Sequence, residues 1–313
     1  MTFVSNDSSW WPTINSNFLF SYWMAVASVV VVYDWVLTLG QEIELIWKQR
    51  WSLMTMLYLV IRYIGIPYYV ANFLGTIPLV PLTDAVSNIM YYALNWTNMV
   101  VAAMLGVIMV ARLYAMFQGS RTMLIFLVIM FLAVNITCGV ISVIDFKYVA
   151  EEEFILSGTY MCDYVSEGNN QLLNSMIWML NTVWEVLALS LSVWVGMKHF
   201  RDLRLGPSTG STIGDCFRVL IQSHVLYFAS FAGVSCLQLA ASPAISDSDS
   251  IGALILDGAL VILSDVQMFV LGPRLILSVR QYHAKLVAYS DTETSMNSIV
   301  FQEHVHVTTS STV

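Results

Sequence analysis

Ionisable side chains inside long apolar runs are the residues of this sequence with the clearest capacity for chemistry. Glu185, Asp257 and Asp265 are acidic, and His224 is the one histidine in such a run. A charge in hydrocarbon costs about 2.5–3.5 kcal/mol on insertion scales, so each needs a partner or a function. Carboxylates and a histidine at membrane depth can relay protons or bind a cation. These residues are therefore candidates for ligand or ion handling.

Two further embedded charges have opposite signs. Asp34 lies near the inner end of the first apolar run, and Arg62 lies about midway along the second. The short connection between the runs and the reach of the arginine side chain bring the two charges to a similar depth. The spacing predicts an intramembrane ion pair that pins the first two helices together, with direct ligand handling as the alternative. On this interpretation, exchanging the two charges retains expression and reversing either one abolishes it.

Polar and aromatic residues recur at helical spacing in three other runs. Asn181 and Glu185 are four residues apart and share one helix face. Such stripes more often pack helix against helix than bind a ligand, and that alternative stays open. A pocket open to the outer face is the functional hypothesis. Its candidate residues are Tyr91, Asn95, Asn98, Asn181, Glu185, Tyr227, Gln238, Asp257 and Asp265.

The elements that must position these residues are membrane-spanning helices. Of the 313 residues, 58% are hydrophobic and 11% charged, against about 45–50% and about 25% in a typical globular chain. Seven apolar runs are each long enough to cross a bilayer as a helix. The sequence predicts an all-α bundle of seven transmembrane helices over residues 18–280, with a short extracellular tail at 1–17 and a disordered Ser/Thr-rich cytoplasmic tail at 281–313. The predicted spans are 18–39, 52–77, 89–113, 122–144, 174–197, 216–240 and 253–276.

The basic residues predict the direction of insertion. Eleven of the 13 Lys and Arg residues fall on one side of the bilayer, which makes that side cytoplasmic. The N-terminus is then outside, at the plasma membrane or in the secretory pathway, and Asn6 begins a glycosylation sequon there. The loop after the fifth run, with Lys198, Arg201 and Arg204, is a candidate surface for a cytoplasmic signalling partner. The alternative is that this loop only enforces topology and meets anionic lipid.

Several functional classes are excluded by the same residues. A net charge of −8 gives no surface for nucleic acid. Asp257 and Asp265 lie on one helix and cannot face each other as a catalytic dyad, and all four lysines lie in loops or tails, which excludes a retinal Schiff base. We expect no catalytic activity, no cofactor and no metal site. A disulfide from Cys162 to Cys138 or Cys236 stays open beside free thiols.

The segment over residues 25–70 carries a distinctive set of polar and aromatic positions. It resembles the signature of a domain-of-unknown-function family of multi-pass membrane proteins from mushroom-forming fungi. The resemblance implies no activity, but it makes Asp34, Glu42, Trp47 and Arg62 motif positions, which fits a structural coupling of the first two helices. The residues that carry it are Tyr33-Asp34-Trp35-Val36-Leu37-Thr38-Leu39, Glu42, Ile46-Trp47-Lys48, Trp51-Ser52, Leu57-Tyr58 and Arg62-Tyr63.

The predicted topology also resembles that of seven-helix receptors. The motifs of the rhodopsin-like class are missing, since the third run ends Ala111-Arg112-Leu113-Tyr114 and the seventh ends Leu271-Gly272-Pro273-Arg274. We therefore expect a receptor-like sensor that lies in the lipid bilayer and binds a small extracellular ligand. The alternative is a secondary transporter or lipid-handling protein that uses the embedded carboxylates. A scaffold without a ligand is the third hypothesis.

Overall fold

The protein is almost wholly helical in the part of the chain that the structure describes. The structure is a computed structural model, and it describes residues 2–49, 51–76, 84–117, 119–147, 149–156, 159–166, 170–205, 212–241 and 251–282, with residues 284 and 287. The predicted tail at 281–313 lies outside the described residues except at 281, 282, 284 and 287.

Helices follow one another along the chain, joined by short connections and by one β-hairpin. The first, α1, is continued by a π-helical segment (Ile43–Trp47). The last, α7, is continued by a π-helical segment (Gln267–Leu271) and by helical residues 272–282. The stretch from Ile251 to residue 282 is called the seventh helix below. The bounds are α1 Trp11–Glu42, α2 Leu53–Thr76, α3 Asp84–Met116, α4 Arg121–Asp145, α5 Asn170–Leu205, α6 Thr212–Ala241 and α7 Ile251–Val266.

The helices have the length and composition of membrane spans. Among the described residues, six are long and apolar enough to cross a bilayer, and a shorter apolar helix covers Val225–Ala241. These helices support an all-α multi-pass membrane protein. That the chain crosses the membrane seven times, and in which direction it is inserted, stay predictions. Most of the helices extend beyond the predicted spans, because a helix continues through polar turns that hydropathy leaves out. The first, for example, begins at Trp11 with a proline in its first turn.

A small β-sheet is the one departure from the all-α prediction. Strands β2 (Val149–Leu156) and β3 (Thr159–Ser166) form an antiparallel hairpin between α4 and α5. The N-terminal strand β1 (Thr2–Ser5) pairs with β2 in parallel. The hairpin marks one end of the bundle, which we call the hairpin end. The opposite end holds residues 43–49 and 51–52 and is called the first-loop end.

Close contacts attach the seventh helix to α1 and α2. Glycine permits two of them: an added Cβ at Gly65 would lie 2.9 Å from Cδ1 of Phe269, and one at Gly258 would overlap the Trp23 indole. Tyr58 and Ile61 of α2 are fully buried in the same core. The first helix, α2 and the seventh helix therefore form one packed unit.

Candidate functional site

Four charged residues at the first-loop end form a group that we call the ion-pair network: Asp34, Glu42 and Arg62, which are buried, and Arg274, which is exposed. Asp34 and Glu42 are eight residues apart on α1, with Thr38 midway, so all three lie on one helix face. Arg62 comes from α2 and Arg274 from the seventh helix. The network thus joins three helices.

Arg62 is the centre of this network. Its Nε lies 2.7 Å from Glu42 Oε2, and its Nη1 lies 3.7 Å from Asp34 Oδ2. Nη2 donates to Thr38 Oγ1 at 2.6 Å and to the Trp35 carbonyl oxygen at 2.7 Å. The predicted partners Asp34 and Arg62 are thus brought together, but the shorter ion pair of Arg62 is with Glu42.

Hydrogen bonds stabilise the carboxylate of Glu42, although its side chain is fully buried. Besides Arg62, Tyr58 donates its hydroxyl to Oε2 at 3.3 Å, and Tyr63 donates to Oε1 at 3.0 Å. The Trp47 indole also donates to Oε1, at 3.1 Å. Both carboxylate oxygens therefore have two donors each, which offsets the cost of burying the charge.

Asp34 connects the network to the seventh helix. Its Oδ1 accepts from both Nε and Nη2 of Arg274, each at 2.6 Å. One turn and a half further along, Arg280 donates to the Leu45 carbonyl oxygen at 2.8 Å and also to Thr55. In the ion-pair network, the guanidinium groups of Arg62 and Arg274 thus contact the carboxylates of Asp34 and Glu42, and the formal charges cancel. This arrangement is suited to holding helices together, since none of its side-chain atoms is buried without a hydrogen-bond partner in the part of the chain that the structure describes.

A cavity of about 280 Å³ lies between α3, α4, α5, α6 and the seventh helix. Asp145, Phe146 and Asn174 line one part of it, so it reaches toward the hairpin end. Leu105, Met109 and Phe131 give it an apolar side. Five of the predicted pocket residues line it: Asn95, Asn98, Asn181, Glu185 and Gln238.

Many polar atoms that face the cavity have no hydrogen-bond partner within the described part of the chain. They are Asn98 Oδ1, Asp145 Oδ1, Trp184 Nε1, Glu185 Oε2 and Gln267 Oε1. Trp184 and Gln267 are only 6% and 8% exposed. Buried polar groups are almost always paired, so five unpaired atoms around one space need an explanation, and a bound molecule would supply one. Four more such atoms, of Trp23, Trp35, Tyr69 and Asp265, lie outside the cavity lining.

Four of the predicted pocket residues do not line this cavity. Tyr91 packs edge-on against Phe146 near the hairpin end, and Tyr227 packs against the core. Asp257 is exposed on the outside of the seventh helix, because Gly258 rather than Asp257 faces α1. Asp265 is 5% exposed and lies beside Tyr69, with its Oδ2 unpartnered. For these four residues, the helical spacing predicted a common helix face but not the direction in which that face points.

Sequence reasoning missed the contribution of α4 and of the π-helical segment. Asn135, Ser142 and Asp145 line the cavity from α4, at spacings of seven and three. That periodicity is a readable signal of one helix face. Gln267 has no such signal, because a π-helical turn shifts the register of the residues after it.

The other predicted site residues have no common location. Lys198 is exposed and lies 5.9 Å from the ring centre of Trp194, and Arg201 is also exposed. The side chains of Arg204, His224 and Cys162 lie outside the described residues. Asn6 is exposed, as a glycosylation site requires. Cys138 and Cys236 are free, and the described residues contain no cluster of His, Cys, Asp and Glu that could hold a metal ion.

Comparison with known proteins gives one match. Residues 22–67 match the model of a family of unknown function, DUF6533. No curated protein and no solved structure matches the chain. The matched segment contains Asp34, Glu42 and Arg62 of the ion-pair network. It contains no residue that lines the cavity.

Proposed function

We propose that this chain is a receptor-like membrane sensor that binds a small ligand in the cavity. The observation that carries the proposal is the set of buried, unpartnered polar atoms around a space of about 280 Å³. An interior used only for helix packing has no reason to leave them unpaired, since apolar residues of similar shape would pack without that cost. The ligand enters from the hairpin end, which the distribution of basic residues predicts to be extracellular.

The seventh helix is the element that would transmit occupancy. Gln267 faces the cavity from a π-helical segment, a local geometry often found at functional sites. Arg274 follows seven residues later, about 10 Å along the helix, and binds Asp34. Arg280 binds the Leu45 carbonyl at the first-loop end. One helix therefore contacts both the cavity and the first-loop end, which the basic residues predict to be cytoplasmic. There Lys198, Arg201 and Arg204 are proposed to meet a signalling partner.

Cysteine labelling tests the ligand site. In a chain whose native cysteines are replaced by alanine, Asn181→Cys should react with a membrane-impermeant, charged methanethiosulfonate added at the hairpin face. Val183→Cys is the matched control, because this neighbouring position on α5 is 59% exposed on the outside of the bundle and would face lipid. We expect labelling at 181 and none at 183. A position 181 that stays unreactive in folded protein would contradict a cavity open to that face.

Hydrogen exchange then tests the transmission step. Covalent filling of the cavity at Asn181→Cys should change the protection of backbone amides in residues 43–55, where Arg280 binds. The same reagent on a cysteine at exposed Trp11 is the control. Identical exchange with the cavity filled and empty would contradict a sensor.

A transporter is the second candidate, and the unpartnered carboxylates favour it. Glu185 Oε2 and Asp265 Oδ2 are both buried without a hydrogen-bond partner, as groups that carry protons or cations require. Alternating access predicts that Asn181→Cys reacts with the impermeant reagent from either face of the membrane. A sensor predicts that Asn181→Cys reacts only with reagent added on the side of the hairpin end.

A further inference from the structure

The unpartnered atoms of the cavity are mostly hydrogen-bond acceptors. Two are amide oxygens, of Asn98 and Gln267, and two are carboxylate oxygens, of Asp145 and Glu185. The one donor is the Trp184 indole N–H. A ligand that satisfies four acceptors and one donor must itself carry several N–H or O–H groups.

The charge of the cavity has one sign. Glu185 and Asp145 line it, and among the described residues no lysine, arginine or histidine lines it. In the ion-pair network, by contrast, each carboxylate contacts a guanidinium group. A buried carboxylate without a counter-charge is costly. A cation bound in the cavity would supply the counter-charge that the described lining residues do not.

Aromatic residues share the cavity lining with Glu185. Trp178 and Trp184 lie within two helical turns of Glu185 on α5, and all three line the cavity with Phe231. The Trp184 ring also packs on Phe131, with 5.6 Å between ring centres. Aromatic faces beside a carboxylate are the usual surroundings of bound organic ammonium groups, since the ring quadrupole attracts a cation.

The size of the cavity limits the ligand. Its 280 Å³ lies just below the range of about 300–1,000 Å³ for sites that hold drug-sized molecules. We propose that the ligand is a small organic amine, with its ammonium group bound to Glu185 and its remaining N–H donors shared with the amide oxygens of Asn98 and Gln267. This inference rests on the cavity being a ligand site, as proposed above.

Ligand-dependent thermal unfolding of the full chain in lipid nanodiscs tests this assignment. The probes are phenethylamine, its neutral counterpart phenethyl alcohol and the anion 3-phenylpropionate, each at the same millimolar concentrations. Phenethylamine should raise Tm in a saturable way, and the other two should not. Glu185→Gln should raise the half-saturating amine concentration about tenfold or more, because an ion pair becomes a neutral hydrogen bond. Gln267→Leu, which keeps the shape but loses an acceptor, should raise it several-fold.

Asp257→Asn is the matched control, because Asp257 is an exposed carboxylate on the seventh helix outside the cavity. It should leave the amine response unchanged. An amine response that survives Glu185→Gln would overturn the assignment. Equal stabilisation by the alcohol or the acid, or by no probe while Asn181→Cys still labels, would overturn the amine class and leave the ligand site standing. A cavity that Asn181→Cys labelling finds closed would instead overturn the proposed function itself.

Discussion

The ion-pair network and the cavity are both polar and both buried, but they differ in how their polar atoms are paired. Glu42 accepts four hydrogen bonds and contacts Arg62 at 2.7 Å. Glu185 has an oxygen with no partner, and no basic residue lines the cavity with it in the described part of the chain. Within the same residues, no side-chain atom of the network is buried without a hydrogen-bond partner, whereas five atoms of the cavity lining are. Completeness indicates a structural role, and incompleteness indicates a role that involves another molecule.

The family match follows the same division. It covers residues 22–67, and these include the acidic residues of α1 and Arg62 of α2. The cavity is built from α3 to the seventh helix, outside that segment. The matched segment thus carries three of the four residues of the ion-pair network, and the cavity lies outside it.

Exchanging the charges of Asp34 and Arg62 has the largest expected effect. The sequence alone predicts that Asp34→Arg with Arg62→Asp retains expression. In the structure the exchange would place an arginine against Arg274 and an aspartate against Glu42, so two attractive contacts become repulsive. We therefore expect the double variant to lose folded protein, as the single reversals do. Size-exclusion profiles of detergent extracts measure this, with the charge-conserving Arg62→Lys as control. A folded double variant would show an isolated pair.

Removing Arg274 should have an intermediate effect. Its side chain is 46% exposed, and Asp34 keeps Arg62 at 3.7 Å when Arg274→Met removes the other partner. Solvent screening lowers the value of the lost pair, so the free energy of unfolding should fall by about 1–2 kcal/mol. Arg121→Met, at an exposed arginine that begins α4, is the control and should leave Tm unchanged. An Arg274 effect as small as that of Arg121 would remove the link between the seventh helix and α1.

Composition and hydropathy were sufficient to predict the helical membrane architecture, because a continuous apolar run of spanning length has few alternatives. The β-sheet was not predicted, because an acidic segment such as Val149–Leu156 gives a weak strand signal. Its pairing with residues near the N-terminus is also non-local. Helix spacing correctly grouped Asn95 with Asn98 and Asn181 with Glu185 on common faces.

Which helix faces meet could not be predicted from spacing. Asp257 and Asp265 both lie in one apolar run, yet one is exposed and the other buried, because their orientation depends on how the seventh helix packs against α1 and α2. For the same reason, the sequence predicted only some of the residues that contact Asp34 and Arg62. Arg274 is 240 residues from Asp34. The contact with Glu42 could have been predicted, since Asp34, Thr38 and Glu42 repeat every fourth residue and share a helix face.

The same chemical change made in both regions tests the division between them most directly. Glu42→Gln and Glu185→Gln each replace a carboxylate with an amide of equal size, and their unfolding can be measured side by side in nanodiscs without ligand. Glu42→Gln should lower the free energy of unfolding by about 3–5 kcal/mol, because Arg62 loses its closest counter-charge. Glu185→Gln should change it by about 1 kcal/mol at most, since Oε2 has no hydrogen-bond partner and no ion pair with a described residue is lost. Equal losses in the two variants would contradict the distinction between a structural network and a ligand cavity.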